Sequence, residues 1–263
     1  MTQATHATPA VTSRLPGSNQ ILFCDFDGPI ADVSQRYYAT YCSCLEQMQQ
    51  ETASTQIYCL PQSQFWTFKQ NRIPDRQIAL WSGLTGTEID RFLALVAERV
   101  NCQELLAYDQ PQPLAAEALQ HLNLLGIRVV LVTLRSHIQV RQFLDAHGLN
   151  HAISDIYGSS SIQAAYTNRA EHKINLLRWA IRAQQQQGFN PSNCFMVGDT
   201  EADILAGQAV DLPTVALTCG IRSRSYLRSF CPTYIKADLW MAVQQLVKPA
   251  FTRFVYATPQ TAD

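Results

Sequence analysis

The chain has 263 residues, a length that fits one large domain or two modest ones. Its net charge is −1 with no block of basic residues, and no apolar run approaches the roughly 18 residues that cross a bilayer. We therefore expect neither nucleic acid nor a membrane as a partner. Eight cysteines without a CxxC pair argue against structural zinc, and a reducing cytoplasm fits them best.

The first predicted strand leads into a pair of carboxylates. Residues 1–19 lack the apolar region of a signal peptide and are predicted to form a flexible tail. The strand at Ile21–Cys24 then ends in Asp25, Asp27 and Gly28. Ligands bind at the carboxyl ends of strands in parallel sheets, which makes this segment a candidate site. Asp and Gly also form ordinary turns, so the segment alone leaves both interpretations open.

A long insert without a convincing strand follows. Asp32–Gln50 is predicted to form a helix, and a second amphipathic helix begins where Thr85 and Glu88 are spaced as a capping box. An insert of this length is too long for a loop and must fold on itself. We predict an all-helical cap domain at 32–112, which ends near a hinge at Asp109–Pro113.

The remainder alternates between strands and helices. The predicted strands are Arg128–Val132, Ile153–Tyr157, Cys194–Val197 and Thr214–Leu217. The predicted helices run from Pro113 to Gly126, from Ser136 to Gly148, and through Ile174, Leu177 and Ile181. This alternation predicts an α/β fold, a doubly wound Rossmann-like parallel sheet, formed by residues 20–31 and 113–250. Gln184–Gln187 is predicted to be a solvated helix end, and 251–263 a C-terminal tail.

Further polar residues follow the later strands. The fourth strand leads into Asp199 and Asp203, so several acids would meet Asp25 if the two strands are neighbours. Crowded carboxylates favour a divalent cation with oxygen ligands, and Mg²⁺ in such a site is typical of phosphate substrates. Thr133 ends the second strand and Lys173 precedes a helix, where both fit phosphate contacts. Taken singly, the same residues fit a capping hydroxyl and a solvated lysine.

The ordered set of motifs resembles the haloacid dehalogenase superfamily. The motifs are DxDG, a strand ending in Thr, Lys at a helix start and GDxxxD, and they span Asp25 to Asp203. With a helical insert between the first and second motifs, the chain is similar to the branch that includes phosphoglycolate phosphatase and β-phosphoglucomutase. Pro29 departs from the pattern, because phosphatases commonly carry Thr and mutases Val at this position.

The resemblance implies a magnesium-dependent phosphatase that hydrolyses a small phosphorylated metabolite through an aspartyl-phosphate intermediate. It implies that Asp25 is the nucleophile and a Mg²⁺ ligand. It implies that Asp27 is the general acid and base, with its backbone carbonyl on the same ion. A carboxylate is ionised at neutral pH and needs no base to activate it.

The remaining motif residues receive supporting roles from the resemblance. Thr133 and Lys173 would hold the phosphoryl oxygens, Asp199 would ligate Mg²⁺ and Asp203 would support that shell. Two other functions stay open: a phosphomutase like β-phosphoglucomutase, and a non-catalytic binding protein on the same fold. The sequence does not decide between a monomer and a homodimer.

Substrate identity in this family is set mainly by the cap. Arg36, Lys69 and Arg72 are candidate specificity residues, because a cation there would meet a second anionic group on the substrate. The same three side chains also fit a solvated cap surface. For Arg135, two residues after Thr133, contact with phosphate and exposure to solvent both stay open.

Overall fold

The computed structural model describes residues 20–52, 57–160, 164–190 and 194–246. The predicted tails at 1–19 and 251–263, together with residues 247–250 of the predicted core, lie outside the described residues.

A six-stranded parallel sheet forms the centre of the molecule, with the strand order β5–β4–β1–β6–β7–β8. Two further short strands, β2 and β3, pair with each other in antiparallel fashion. In chain order the strands are β1 (Ile21–Cys24), β2 (Ala31–Asp32), β3 (Gln110–Pro111), β4 (Arg128–Ser136), β5 (Asp155–Ser159), β6 (Phe195–Gly198), β7 (Thr214–Leu217) and β8 (Tyr234–Lys236).

Helices cover the sheet and form the insert. Five lie between β2 and β3: α1 (Ser34–Glu51), α2 (Gln62–Gln70), α3 (Asp75–Trp81), α4 (Gly86–Arg99) and α5 (Gln103–Leu106). The others are α6 (Ala115–Leu124), α7 (His137–Ala146), α8 (Ala164–Thr167), α9 (Ala170–Gln186), α10 (Glu201–Gln208), α11 (Arg224–Arg228) and α12 (Leu239–Leu246). None of the described helices combines the length and the apolar character needed to cross a membrane.

The sheet is buried on both faces because its strands are apolar at consecutive positions. Leu22 and Cys24 of β1 pack into a cluster with α6, α7 and α12, while Ile21 and Phe23 pack into a second cluster with α9 and α10. Helices therefore lie on both sides of a parallel sheet, and the predicted doubly wound α/β core is confirmed.

The helical insert has an apolar cluster of its own. Tyr41 and Leu45 of α1 meet Phe65 of α2, Ile78 of α3 and Phe92 of α4 in this cluster. The predicted capping box is present at the start of α4, where the backbone N–H of Thr85 donates to Glu88 at 2.9 Å. The pairing of β2 with β3 brings the two ends of the insert together at the edge of the core.

Two local features differ from the sequence prediction. Strand β4 continues beyond Val132 to Ser136, and its pairing with β5 shifts in register between those two residues. Such an irregularity re-aims side chains, and here it lies beside the carboxyl end of β1. Gln184 is fully buried, whereas a solvated position was predicted. Its side chain hydrogen-bonds Arg128 at 3.0 Å and Asp155 at 2.6 Å, so its polar atoms are satisfied without water.

Candidate active site

The motif residues meet at one edge of the sheet. Strand β1 lies between β4 and β6, so the segments that follow these three strands are adjacent. Asp25 follows β1, Thr133 lies in the irregular end of β4 and Asp199 follows β6. Lys173, in the first turn of α9, reaches the same place. All four line one cavity.

Three carboxylates form a buried cluster. Asp25, Asp199 and Asp203 each offer an oxygen, and these oxygens lie within 4.8 Å of one another. Thr200 holds the Asp203 carboxylate in place: Asp203 Oδ2 accepts hydrogen bonds from the backbone N–H and the hydroxyl of Thr200 at 3.0 and 2.7 Å. This second capping box ties the cluster to the start of α10.

The ammonium group of Lys173 is held by three acceptors. Its Nζ lies 2.8 Å from Asp25, 2.8 Å from Asp203 and 3.1 Å from the backbone oxygen of Val132. Burial alone would lower the pKa of Lys173, but Asp203 and Asp25 raise it above its ordinary value. Lys173 is therefore a fixed positive charge beside the predicted nucleophile.

The cluster carries more negative charge than Lys173 compensates. Burial, followed by repulsion from Asp203, raises the pKa of Asp25 to about 7 against the opposing effect of Lys173. Burial, followed by Asp203 and Asp25, raises the pKa of Asp199 well above its ordinary value. Three carboxylates and one ammonium leave two uncompensated negative charges when all are ionised, a balance that suits a divalent cation.

One atom of the cluster is available for a cation. Asp199 Oδ2 accepts from the backbone N–H of Ile221 at 2.6 Å, whereas its buried Oδ1 has no hydrogen-bond partner within the described part of the chain. An orphaned, buried carboxylate oxygen among other carboxylates is the donor type that Mg²⁺ takes. The residues therefore fit the predicted magnesium site.

Glycines pack directly against these carboxylates. A Cβ on Gly28 or Gly220 would lie 2.2 and 1.9 Å from the nearest atoms of Asp199, and one on Gly198 would lie 2.1 Å from Asp203. Side chains at these positions would displace the carboxylates. Gly28 also has φ +93, which glycine adopts without strain, and the N–H groups of Gly28, Ile30 and Ala31 close the loop without using Pro29.

Asp27 points away from the carboxylate cluster into a second charged group. Its Oδ1 lies 2.9 Å from Arg135 and its Oδ2 lies 3.0 Å from Arg36. Both arginines also pair with Asp109, at 3.0 Å from Arg36 and 2.7 Å from Arg135. We call Asp27, Arg36, Asp109 and Arg135 the charge ring. It joins the active-site loop, the first cap helix, the hinge and β4.

The charge ring affects its two carboxyl groups differently. Burial alone would raise the pKa of Asp27, but Arg135 and Arg36 lower it below its ordinary value. Burial raises the pKa of Asp109 to about 6, although both arginines oppose that change. Asp27 is therefore held in its ionised form.

The three candidate specificity residues lie in different surroundings. Lys69 and Arg72 line the cavity, but Arg36 is not among its lining residues. The side chain of Arg36 is fully buried and is taken up by the charge ring and by Asn101, whose Oδ1 accepts from it at 2.7 Å. The structure thus places Arg36 behind Asp27, away from the position expected of a substrate contact. Arg135, 2% exposed, does not point to solvent.

Several site residues were not foreseen from the sequence. Asp109 was assigned only to the hinge, and Gly220 follows a strand whose end carried no recognised motif. Tyr166 and Asp75 also line the cavity, and the Tyr166 hydroxyl donates to Asp75 at 2.8 Å. Arg135 was a candidate because it stands two residues after Thr133 on the same strand, but its pairing with Asp27 and Asp109 was not foreseen.

Comparison with known proteins gives consistent matches. A family model described as haloacid dehalogenase-like hydrolase matches residues 20–211. The chain is 26% identical to the pyrophosphatase PpaX of Oceanobacillus iheyensis over 153 residues, 58% of this chain and 67% of that protein. It is 28% identical to a phosphoglycolate phosphatase of Haemophilus influenzae over 158 residues, 59% of this chain and 65% of that protein. The match thus spans about two thirds of the length of these relatives.

A solved structure extends the likeness across the fold. The chain superposes on a haloacid dehalogenase-like family protein from Streptococcus pneumoniae with a TM-score of 0.62 and 17% identity. The superposition covers 86% of this chain and 97% of that one. The insert and the core therefore share an architecture with that protein.

Proposed function

We propose that this chain, which belongs to the haloacid dehalogenase-like hydrolases, is a magnesium-dependent phosphatase that acts through a phosphorylated Asp25. The observation that carries the proposal is the position of Asp25, buried in the cavity between the ammonium of Lys173 and the carboxylates of Asp199 and Asp203. A carboxylate nucleophile repels an anionic phosphate unless positive charge compensates it. Lys173 supplies part of that positive charge, and a divalent cation held by the carboxylates would supply the rest.

The first step transfers the phosphoryl group to Asp25. A carboxylate oxygen of Asp25 forms a bond to phosphorus, and the bond between phosphorus and the leaving oxygen breaks. Thr133 and Lys173, which line the same cavity, hold the phosphoryl oxygens. Asp27 takes up a proton from solvent when the substrate binds and gives it to the leaving oxygen, which departs as an alcohol.

The second step releases the phosphate. A water molecule attacks phosphorus and gives its proton to Asp27, and the bond between phosphorus and Asp25 breaks. The charge ring favours the ionised form of Asp27, which is the form that accepts this proton. Inorganic phosphate leaves and Asp27 releases its proton to solvent, so both aspartates return to their starting states.

Magnesium would be held by Asp25, Asp199 and the backbone carbonyl of Asp27, with Asp203 in support. When bound, the ion would neutralise charge on the phosphoryl oxygens and on the attacking carboxylate. The orphaned Oδ1 of Asp199 supports this assignment.

The substrate we propose is a small phosphorylated metabolite. Two curated relatives are named as a pyrophosphatase and a phosphoglycolate phosphatase, and both names denote hydrolysis of small phosphate compounds. We place the enzyme in the cytoplasm, since all eight cysteines lie in described residues and all are free thiols.

The test is phosphate release from a panel of small phosphoesters, with Mg²⁺ and with EDTA. We expect phosphate release only with Mg²⁺. We expect Asp25→Asn to reduce the rate of release by about 10³-fold or more, as is typical when a catalytic nucleophile is lost. Asp211→Asn is the matched control, because exposed Asp211 precedes β7 and so lies at the opposite edge of the sheet. Equal activity in Asp25→Asn and the native chain would refute the mechanism.

The same panel separates the other functions. A phosphomutase would give an isomerised sugar phosphate without free phosphate. A binding protein would bind Mg²⁺ and phosphate and turn over none of the esters.

A further inference from the structure

The cavity has a second wall that faces the phosphate-binding residues. The cap contributes Tyr37, Lys69, Arg72 and Asp75 to it, and the core contributes Tyr166 and Asn168. No role in the two chemical steps belongs to Asp75, Tyr166 or Asn168. In the proposed reaction the phosphoryl group binds at Asp25, so the leaving group would lie among the residues of this second wall.

The cations of this wall are paired with carboxylates. Lys69 Nζ lies 2.6 Å from Asp75, and Arg72 Nε lies 3.3 Å from Glu201. Arg222, which also lines the cavity, lies 2.8 Å from Glu201. A cation that is already paired attracts a further anion weakly, and the carboxylates repel one. Arg72 and Arg222 share the single carboxylate of Glu201, so one positive charge is in excess there. Lys69 is fully paired with Asp75, so the part of the wall beside Asp75 lacks a free positive charge.

The wall does offer hydrogen-bonding groups. Asp75 accepts from Lys69 and from the Tyr166 hydroxyl, and a carboxylate has about four acceptor positions, so acceptor capacity remains. Burial opposes ionisation of Asp75, but Lys69 lowers its pKa below the ordinary value, so it is a carboxylate at neutral pH. Asn168 Nδ2 is a buried donor without a hydrogen-bond partner among the described residues. An acceptor and a free donor in one wall match a hydroxyl group, which both donates and accepts.

We infer that Asp75, Lys69, Tyr166 and Asn168 form a leaving-group subsite that selects an uncharged, hydroxyl-bearing leaving group over one that carries a carboxylate. The inference rests on the proposed phosphatase function. It departs from the substrate in the name of the relative from Haemophilus influenzae, since phosphoglycolate carries a carboxylate beside its phosphate.

Cap and core both contribute to this subsite. Asp75 begins α3 of the cap, Tyr166 lies in α8 of the core, and their hydrogen bond joins the cap to the core beside the cavity. The subsite is complete only with the cap in the position that the structure has. The subsite therefore selects the leaving group while the cap covers the active site.

The test compares two esters that differ in one group. Glycerol 3-phosphate and 3-phosphoglycerate share a carbon skeleton, but a CH₂OH in the first is a carboxylate in the second. We expect kcat/KM to favour glycerol 3-phosphate by about tenfold or more, since an unpaired charge on the leaving group meets Asp75. Asp75→Asn removes that carboxylate and releases Lys69, and it should shift the ratio toward 3-phosphoglycerate by about tenfold.

Asp90→Asn is the matched control. Asp90 is an exposed cap carboxylate paired with Arg76 and does not line the cavity, so this variant should keep the native ratio. Lys69→Met is a second variant, which leaves Asp75 without its cation and should increase the preference for glycerol 3-phosphate.

The outcomes separate this inference from the phosphatase function. Equal or greater kcat/KM for 3-phosphoglycerate in the native chain overturns the inference, and that measurement depends on no variant. An unchanged ratio in folded Asp75→Asn overturns it as well. Failure to hydrolyse even p-nitrophenyl phosphate with Mg²⁺ overturns the phosphatase function and this inference with it.

Discussion

Arg36→Met removes one arginine from the charge ring and should destabilise the fold. The methionine nearly matches the length of the aliphatic stem but cannot pair with Asp27 or Asp109, each 3.0 Å from Arg36 in the native chain. It also breaks the 2.7 Å bond to Asn101. Both carboxylates then depend on Arg135 alone, and the ring carries an excess negative charge away from water.

The expected magnitude follows from burial. The Arg36 and Asp109 side chains are both 0% exposed, and removing one partner of a buried ion pair typically costs about 3–5 kcal/mol. Arg72→Met is the matched control in the same cap. Arg72 is 48% exposed with one 3.3 Å pair, so its loss should cost no more than about 1 kcal/mol.

The measurement is the free energy of unfolding, obtained from a urea titration at neutral pH with circular dichroism as the signal. The double variant Arg36→Met/Asp109→Leu removes one charge of each sign and leaves the pair between Asp27 and Arg135 intact. It should be less destabilised than the sum of the two single variants by about 1–3 kcal/mol. Additive losses, or an Arg36→Met protein within about 1 kcal/mol of the native chain, would refute this account of the ring.

Two further predictions concern the cap pair and the metal site. The pKa of Asp75 is lowered by Lys69 against the effect of burial, so its ionisation stabilises the fold above its ordinary pKa of 3.8, and this contribution disappears as the pH falls through the lowered value. The difference in unfolding free energy between the native chain and Asp75→Asn should therefore be present at pH 7 and shrink as the pH falls below 3.8, and a constant difference would contradict it. Gly220→Ala should weaken Mg²⁺ binding measured by calorimetry, because its Cβ would meet Asp199 at 1.9 Å. Gly148→Ala, with φ +67 but no atom within 4 Å, should lose some stability and keep native Mg²⁺ affinity, so equal affinities in the two variants would count against the packing argument.

The fold was predictable because its signals are local. Consecutive apolar residues mark the buried parallel strands, and glycines and prolines mark the ends of helices. The family predicted from four motifs is confirmed by the match over residues 20–211, and its phosphoglycolate phosphatase-like branch by the curated relatives. The carboxylate cluster of Asp25, Asp199 and Asp203 follows from the order of the strands.

The charge ring was not predictable, because its contacts join distant parts of the chain. Arg36 and Asp109 lie near the two ends of the helical insert, and a charged residue in an amphipathic helix normally points to solvent. Nothing in the spacing of either residue indicates the other. Only packing of the cap on the core brings them together.

Gln184 is different, because a signal was present. Leu177, Ala180 and Gln184 are spaced at i, i+3 and i+7 on α9, and all three are buried on one face. Three further glutamines follow, which made the segment look uniformly solvated. Helical periodicity assigns the first glutamine to the core and explains its bonds to Arg128 and Asp155.

The central claim is that Asp25 carries the phosphoryl group during turnover. The most direct measurement starts with the native chain turning over a ³²P-labelled phosphoester once with Mg²⁺, stopped by acid during the turnover. Peptides of the quenched protein are then analysed by mass spectrometry. The account predicts transient label on the peptide that contains Asp25, and no label in Asp25→Asn. Phosphate release at the native rate with no label on Asp25, or with label on another residue, would contradict it.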